Sequence, residues 1–120
     1  MSTFDNAVSI HPYFKIQPGQ MEACKTLLRQ FVEKVANEEN CLYYNFTFHG
    51  DTLFCREAYR NAAGLQEHVA NCGPQLETLL GISEVIRMEI HGPAAELEKL
   101  KTDFADFNPD YYELEIGIGR

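Results

Sequence analysis

Among the side chains able to move a proton near neutral pH, His68 stands beside the apolar stripe of a helix, three residues after Leu65 and four before Cys72. An imidazole there can act as a general base toward an oxygen-bound proton, or sit as a helix-edge histidine bonded to a backbone carbonyl or to water. Two cross-strand pairs accompany it. Asn45 and Arg56 become neighbours if Gly50-Asp51 is a two-residue hairpin turn. Together they would orient or stabilise an oxygen-bearing molecule, or serve as polar groups at a subunit seam. Tyr44 and Glu57 pair on the other face of the same ribbon, where a phenol hydroxyl bonded to a carboxylate satisfies a half-buried pair; a place in a pocket is the alternative. Phe14, Phe46, Phe48, Phe54 and Tyr59, with Leu65, would line a pocket or fill a core, and their spacing does not distinguish the two.

Metal and redox chemistry lack a matching pattern. His11, His49 and His91 have no partner at i,i+4 or close in sequence. Cys24, Cys41, Cys55 and Cys72 are far apart, form no C-x-x-C pair and read as reduced packing residues. A glycine-rich phosphate loop, a G-x-S-x-G elbow and an H-E-x-x-H helix are all missing. Neither a metal nor a cofactor is expected.

These residues need a scaffold, and the periodicities supply one. Val8, Ile10, Phe14 and Ile16 alternate with polar neighbours as in a strand, and Pro12 within it calls for a bulge or an unpaired edge. Pro18-Gly19 opens a helix to about Asn37, with Met21, Cys24, Leu27, Leu28, Phe31, Val32 and Val35 at spacings of three and four. Two strands then flank Gly50-Asp51. Their register pairs His49 with Thr52, Thr47 with Phe54, Asn45 with Arg56 and Tyr43 with Ala58 on one face. Phe48/Leu53, Phe46/Cys55, Tyr44/Glu57 and Leu42/Tyr59 share the other.

Asn61 caps a second helix that Gly73-Pro74 closes, a short helical segment spans Gln75 to Leu80, and Ile82 to His91 reads as a fourth strand. An amphipathic helix from Ala94 to Phe107 and a short strand from Tyr111 to Ile118 complete the chain. The order βαββαβ is that of a ferredoxin-like α+β domain, an antiparallel sheet with helices on one face, extended by a C-terminal α-β unit. Such a sheet leaves one face bare, so a homodimer through the sheet face is expected. Which face lines a pocket, and whether the last strand pairs within or between subunits, stay open.

At 120 residues the chain is a single domain, with a core over roughly 7–92 and an extension over 93–120. Its formal charge of −8, from 18 acidic and 10 basic side chains, repels phosphate backbones and disfavours nucleic acid as a partner. No apolar run is long enough to span a bilayer, and Met1-Ser2-Thr3-Phe4-Asp5 lacks the start of a signal peptide. A cytoplasmic protein without membrane contact is expected.

The stretch from Leu53 through Glu57, Tyr59 and Asn61 to His68 resembles the strand-to-helix segment of the antibiotic-biosynthesis-monooxygenase-like proteins. There a strand ends in an acidic and an aromatic residue, and a histidine follows some ten residues later in the next helix. The resemblance covers roughly residues 7–92 and implies a dimeric α+β barrel with a pocket in each subunit. It further implies a cofactor-independent monooxygenase acting on an aromatic phenol or quinol. In such a reaction the deprotonated substrate itself reduces O₂, with His68 as base and Asn45, Arg56 and Tyr44 as orienting groups. A non-catalytic small-ligand-binding or dimerisation module of the same fold is the alternative. Haem-degrading relatives rely on a tryptophan and a late histidine; this chain has no Trp and no His between His68 and His91, which puts haem binding outermost.

Overall fold

The computed structural model describes residues 4–120; Met1, Ser2 and Thr3, part of the N-terminal segment considered for targeting, lie outside them. The element order is β1 (Val8–Ile16), α1 (Met21–Val35), β2 (Cys41–His49), β3 (Thr52–Tyr59), α2 (Ala62–Asn71), α3 (Gly73–Gly81), β4 (Ser83–Gly92), α4 (Ala94–Glu98) and β5 (Asp110–Glu113). The strands form one sheet in the order β2-β3-β1-β4-β5. It is antiparallel through β4, as expected of a ferredoxin-like α+β domain, and β5 adds a parallel strand at the β4 edge of its own chain.

The hairpin register follows from its turn. Gly50 adopts φ 58°, a left-handed conformation that glycine reaches without a Cβ penalty. His49↔Thr52, Phe46↔Cys55, Asn45↔Arg56 and Tyr44↔Glu57 then pair as the spacing requires. Beyond Tyr43↔Ala58 the ladder slips, so that Cys41 rather than Leu42 faces Tyr59. Pro12 lies in the central strand, and the missing N–H is accommodated beside a register shift between Tyr13 and Phe14 in the pairing with β4.

Helices cover only one face of the sheet. Val8, Ile10, Phe14 and Ile16 of β1 and Leu53, Cys55, Glu57 and Tyr59 of β3 are buried beneath them. One core cluster gathers Leu27, Leu28 and Phe31 of α1 with Phe14, Leu53 and Leu79. The other gathers Val8, Ile10, Tyr59, Leu65 and Ile90 with Leu97, Leu100 and Phe104 from the C-terminal extension.

Two expectations are corrected. The continuous helix from Ala94 to Phe107 ends at Glu98; turns follow, and then a 3₁₀ turn at Ala105–Phe107. Leu97, Leu100 and Phe104 still reach the core, because successive turns give the same three- and four-residue spacing as a helix. The final strand stops at Glu113, short of Ile118, and Leu114, Ile116 and Ile118 remain exposed.

Candidate active site

The covered face of the sheet, α2, α3 and the C-terminal turns enclose a pocket of about 310 Å³. Its walls are apolar: Ile10, Phe14 and Met88 from the sheet, Phe31 from α1, Leu65 from α2 and Phe104 from the C-terminal turns. Buried Cys55, Glu57 and His68 mark the closed end, while exposed Glu77, Leu80 and Phe107 mark the mouth.

Local sequence explains how the two central groups meet. Asn61 caps α2 by accepting a hydrogen bond from the Gly64 N–H at 2.8 Å, which fixes the start of the helix two residues after β3. Glu57, at the end of β3, and His68, two turns into α2, then both face the pocket. His68 is 3% exposed and Glu57 5%, so neither is a surface charge.

Three buried side chains form a relay. The Nδ1 of His68 lies 3.0 Å from Glu38 Oε2, and its Nε2 lies 3.6 Å from Glu57 Oε1, close enough for charge interaction but too long for a hydrogen bond. Asn71 donates to Glu38 Oε2 at 2.8 Å and orients that carboxyl. In the neutral ring, a carboxylate at Nδ1 favours the tautomer that carries its proton there, and that tautomer has the Nε2 lone pair facing Glu57. The Tyr59 hydroxyl donates to Glu57 Oε1 at 2.6 Å. The Tyr44 and Tyr59 rings lie 5.1 and 5.3 Å from the imidazole and hold it in place.

Burial dominates the electrostatics. It raises the Glu57 carboxyl above the ordinary glutamate value; His68 and the hydrogen bonds from Tyr59 and Cys55 pull it back in part. The Tyr44 hydroxyl and the Cys55 thiol are also raised, first by burial and then by the neighbouring Glu57 charge. Neither is a ready anion. Glu57 is thus an acid able to hold its proton, beside an imidazole already paired with a second carboxyl. Such an arrangement separates an acid role from a base role.

Several anticipated site residues converge here: His68, Tyr44, Phe14, Phe46, Glu57 and Leu65 all line the pocket. Asn45 and Arg56 do pair, but both are exposed on the bare face of the sheet, opposite the pocket, because Tyr44 and Glu57 take the covered side. Phe54 is also on the bare face, stacked near Tyr13 and His11. Phe48 shares the covered side but lies beyond the pocket lining, and Tyr59 sits behind Glu57 in the core.

Glu38 was not identifiable from sequence, since Asn37-Glu38-Glu39-Asn40 reads as a polar loop and nothing in it signals a side chain turned inward. Its burial also creates the one group among the described residues whose donors suit a metal. Atoms of Glu38, His68 and Cys72 lie within 4.8 Å of one another, a mixed oxygen, nitrogen and sulfur set of the kind zinc accepts. The Glu38 oxygen and the His68 nitrogen are already hydrogen-bonded to each other. Burial, with Glu38 beside it, pushes the Cys72 thiol up to about 12, which keeps its proton on sulfur near neutral pH.

A split βαβ sheet with helices on one face and a pocket beneath α2 is the fold of the antibiotic-biosynthesis-monooxygenase-like proteins. Among solved structures, Rv0793 from Mycobacterium tuberculosis matches with TM-score 0.65 at 20% identity, over 73% of this chain and 95% of that one. A structure described as an antibiotic biosynthesis monooxygenase matches with TM-score 0.61 at 18% identity, over 69% and 92%. MupZ from Pseudomonas fluorescens matches far more fully, with TM-score 0.90 and 36% identity over 96% of this chain and 95% of its own. The chain belongs to the family of MupZ. No protein-family model matches it, and no curated protein sequence does.

Proposed function

We propose that this protein is an enzyme that moves protons at an oxygen of a largely apolar small molecule, using Glu57 as acid and the His68–Glu38 pair as base. The observation that carries this reading is the Glu38–His68–Glu57 relay at the closed end of an apolar pocket. Glu57 donates to a substrate oxygen that gains electron density, and His68 Nε2 accepts a proton from a hydroxyl or an acidic carbon. Isomerisation of an enone and addition of a hydroxyl group to an activated carbon are reactions of this class. The described lining residues include no Lys or Arg. That favours a neutral substrate over an anion, since a carboxylate or sulfate would meet Glu57, Glu77 and Asp103 and no lysine or arginine in a water-poor cavity.

Oxygenation of a phenol or quinol is the second reading, and a structural neighbour described as an antibiotic biosynthesis monooxygenase favours it. It begins with the same imidazole removing the phenolic proton, but the cation expected to hold the oxyanion, Arg56, faces away from the pocket. A panel of anthrols, hydroquinones, enones and hydroxy-enones, incubated with and without air, separates the readings. Turnover that needs no O₂ and falls about 10²–10⁴-fold in Glu57→Gln and His68→Asn supports acid–base catalysis. Turnover with stoichiometric O₂ uptake supports oxygenation. Turnover unaffected by either substitution refutes both.

The bare sheet face is proposed to receive a second copy of the chain. Tyr43 and Ile86 are exposed there, and the Tyr13 and Phe54 rings lie 4.7 Å apart on the same face. Light scattering on the purified chain tests this: a monomer mass, or a dimer mass unchanged in Tyr43→Glu and Ile86→Glu, refutes it.

A further inference from the structure

The segment between α4 and β5 is irregular, yet it is fastened at several points. Glu96 Oε1 accepts a hydrogen bond from the Ala62 N–H at 2.9 Å, at the start of α2. Gln66 of α2 donates to Asp103 Oδ2 at 2.7 Å and to the Lys99 carbonyl at 3.3 Å. Leu97 and Leu100 are fully buried beneath the sheet. At the far end Asn108 takes a left-handed conformation, φ 46° and ψ 55°, that asparagine tolerates better than most residues. This turns the chain into β5, whose register on β4 is Glu89↔Asp110 and Ile90↔Tyr111.

The segment is therefore a strap anchored to α2 on one side and to the sheet edge on the other, and it lends Phe104 and Phe107 to the pocket. Phe104 is buried in the wall, whereas Phe107 is 38% exposed at the mouth. At about 310 Å³ the cavity is at the lower end for small-molecule sites, roughly 300–1,000 Å³, so a molecule that fills it from the closed end outward meets the mouth residue.

We infer that Phe107, backed by Phe104, determines how long a neutral apolar molecule the pocket accepts. The inference rests on the pocket being the substrate site of the proposed reaction, but it concerns size selection and is read by binding alone. A smaller side chain at 107 extends the cavity outward along the strap, and a larger one shortens it. Because Phe107 is partly exposed and lies outside both core clusters, its substitution leaves the fold intact.

The test uses 1-aminoanthracene as a neutral fluorescent probe, displaced by straight-chain primary alcohols of increasing length. The proteins compared are the natural chain, Phe107→Ala, Phe107→Trp and Phe48→Ala, an aromatic control outside the pocket. Phe107→Ala is expected to move the tightest-binding alcohol toward longer chains by about two methylenes, with about tenfold tighter binding of those longer members. Phe107→Trp is expected to move it toward shorter chains, and Phe48→Ala to leave the profile as it is. Identical length profiles in the two Phe107 variants overturn the inference, as does failure of the probe to bind the natural chain. Shifted profiles in a protein that turns over no member of the substrate panel uphold size selection while removing the proposed reaction.

Discussion

Replacing Tyr59 with phenylalanine removes the one oxygen that donates to Glu57 from behind and leaves the ring that packs against His68. The lost bond is the 2.6 Å donation from the Tyr59 hydroxyl to Glu57 Oε1, while His68 Nε2, 3.6 Å from that oxygen, is too far to replace it. A buried neutral hydrogen bond contributes about 0.5–1.5 kcal/mol, and one to a charged group about 1.5–3 kcal/mol. The penalty of Tyr59→Phe therefore depends on whether Glu57 is charged. Burial raises Glu57, and the tyrosine hydroxyl pulls it down, so loss of the hydroxyl raises it further.

A carboxyl whose folded value exceeds its unfolded one contributes stability that is complete below the unfolded value and is lost as pH climbs through the folded value. In Tyr59→Phe that loss is larger. Destabilisation is expected to be about 1 kcal/mol in mild acid and to grow to about 2–3 kcal/mol at alkaline pH. Urea unfolding of both proteins from about pH 5 to about pH 9 measures it, with Glu57→Gln as the background in which the pH dependence vanishes. A penalty of about 2–3 kcal/mol already present in mild acid would show that Glu57 is ionised there and would remove the acid role assigned to it, and a penalty that shrinks as pH rises would show that this hydroxyl does not favour the carboxylate.

Other expectations are simpler. Gly92→Ala would place its Cβ 2.9 Å from Val8 Cγ1 and 3.1 Å from the Ala7 carbonyl, and thermal melting should register a loss of about 1–3 kcal/mol. Glu96→Ala leaves the Ala62 N–H without its acceptor and should cost about 1–2 kcal/mol, with faster amide exchange confined first to the start of α2. Burial raises Cys24, Cys55, Cys41 and Cys72, the last two to about 12, so maleimide near neutral pH should label none of the four thiols in the folded chain and all four in denaturant. Rapid native labelling of Cys55 or Cys72 would contradict the closed geometry of the site.

Much of the scaffold was legible because its signals are local. Gly50-Asp51 dictated a turn, the turn dictated the register, and the register made neighbours of Tyr44 with Glu57 and of Asn45 with Arg56. Alternation with a period of two tells which residues share a face, but not which face the helices will cover. Here both faces carry aromatics, Phe14 and Phe46 on one and Tyr13 and Phe54 on the other, so Arg56 could be paired correctly and still be given the wrong surroundings. The inward turn of Glu38 escaped for a different reason, and the spacing that marked Phe104 as apolar did not say that it would wall a pocket. Where both land depends on loops folding back over α2 and the sheet, contacts between residues 30 and more apart that local periodicity does not record.

The bond from Ala62 to Glu96 also has a consequence for the order in which the molecule is assembled. A ribosome emits His68 well before it emits Glu96, Leu97, Leu100 and Phe104. Until those residues arrive, the Ala62 N–H lacks its acceptor and the Val8–Ile10–Ile90 end of the sheet lacks part of its cover. The nascent chain can close its hairpin, pack α1 and bring His68 to Glu38 and Glu57 early, but the pocket gains its Phe104 and Phe107 wall only when the last quarter of the protein has left the exit tunnel. The cavity is then among the last parts of the fold to be enclosed.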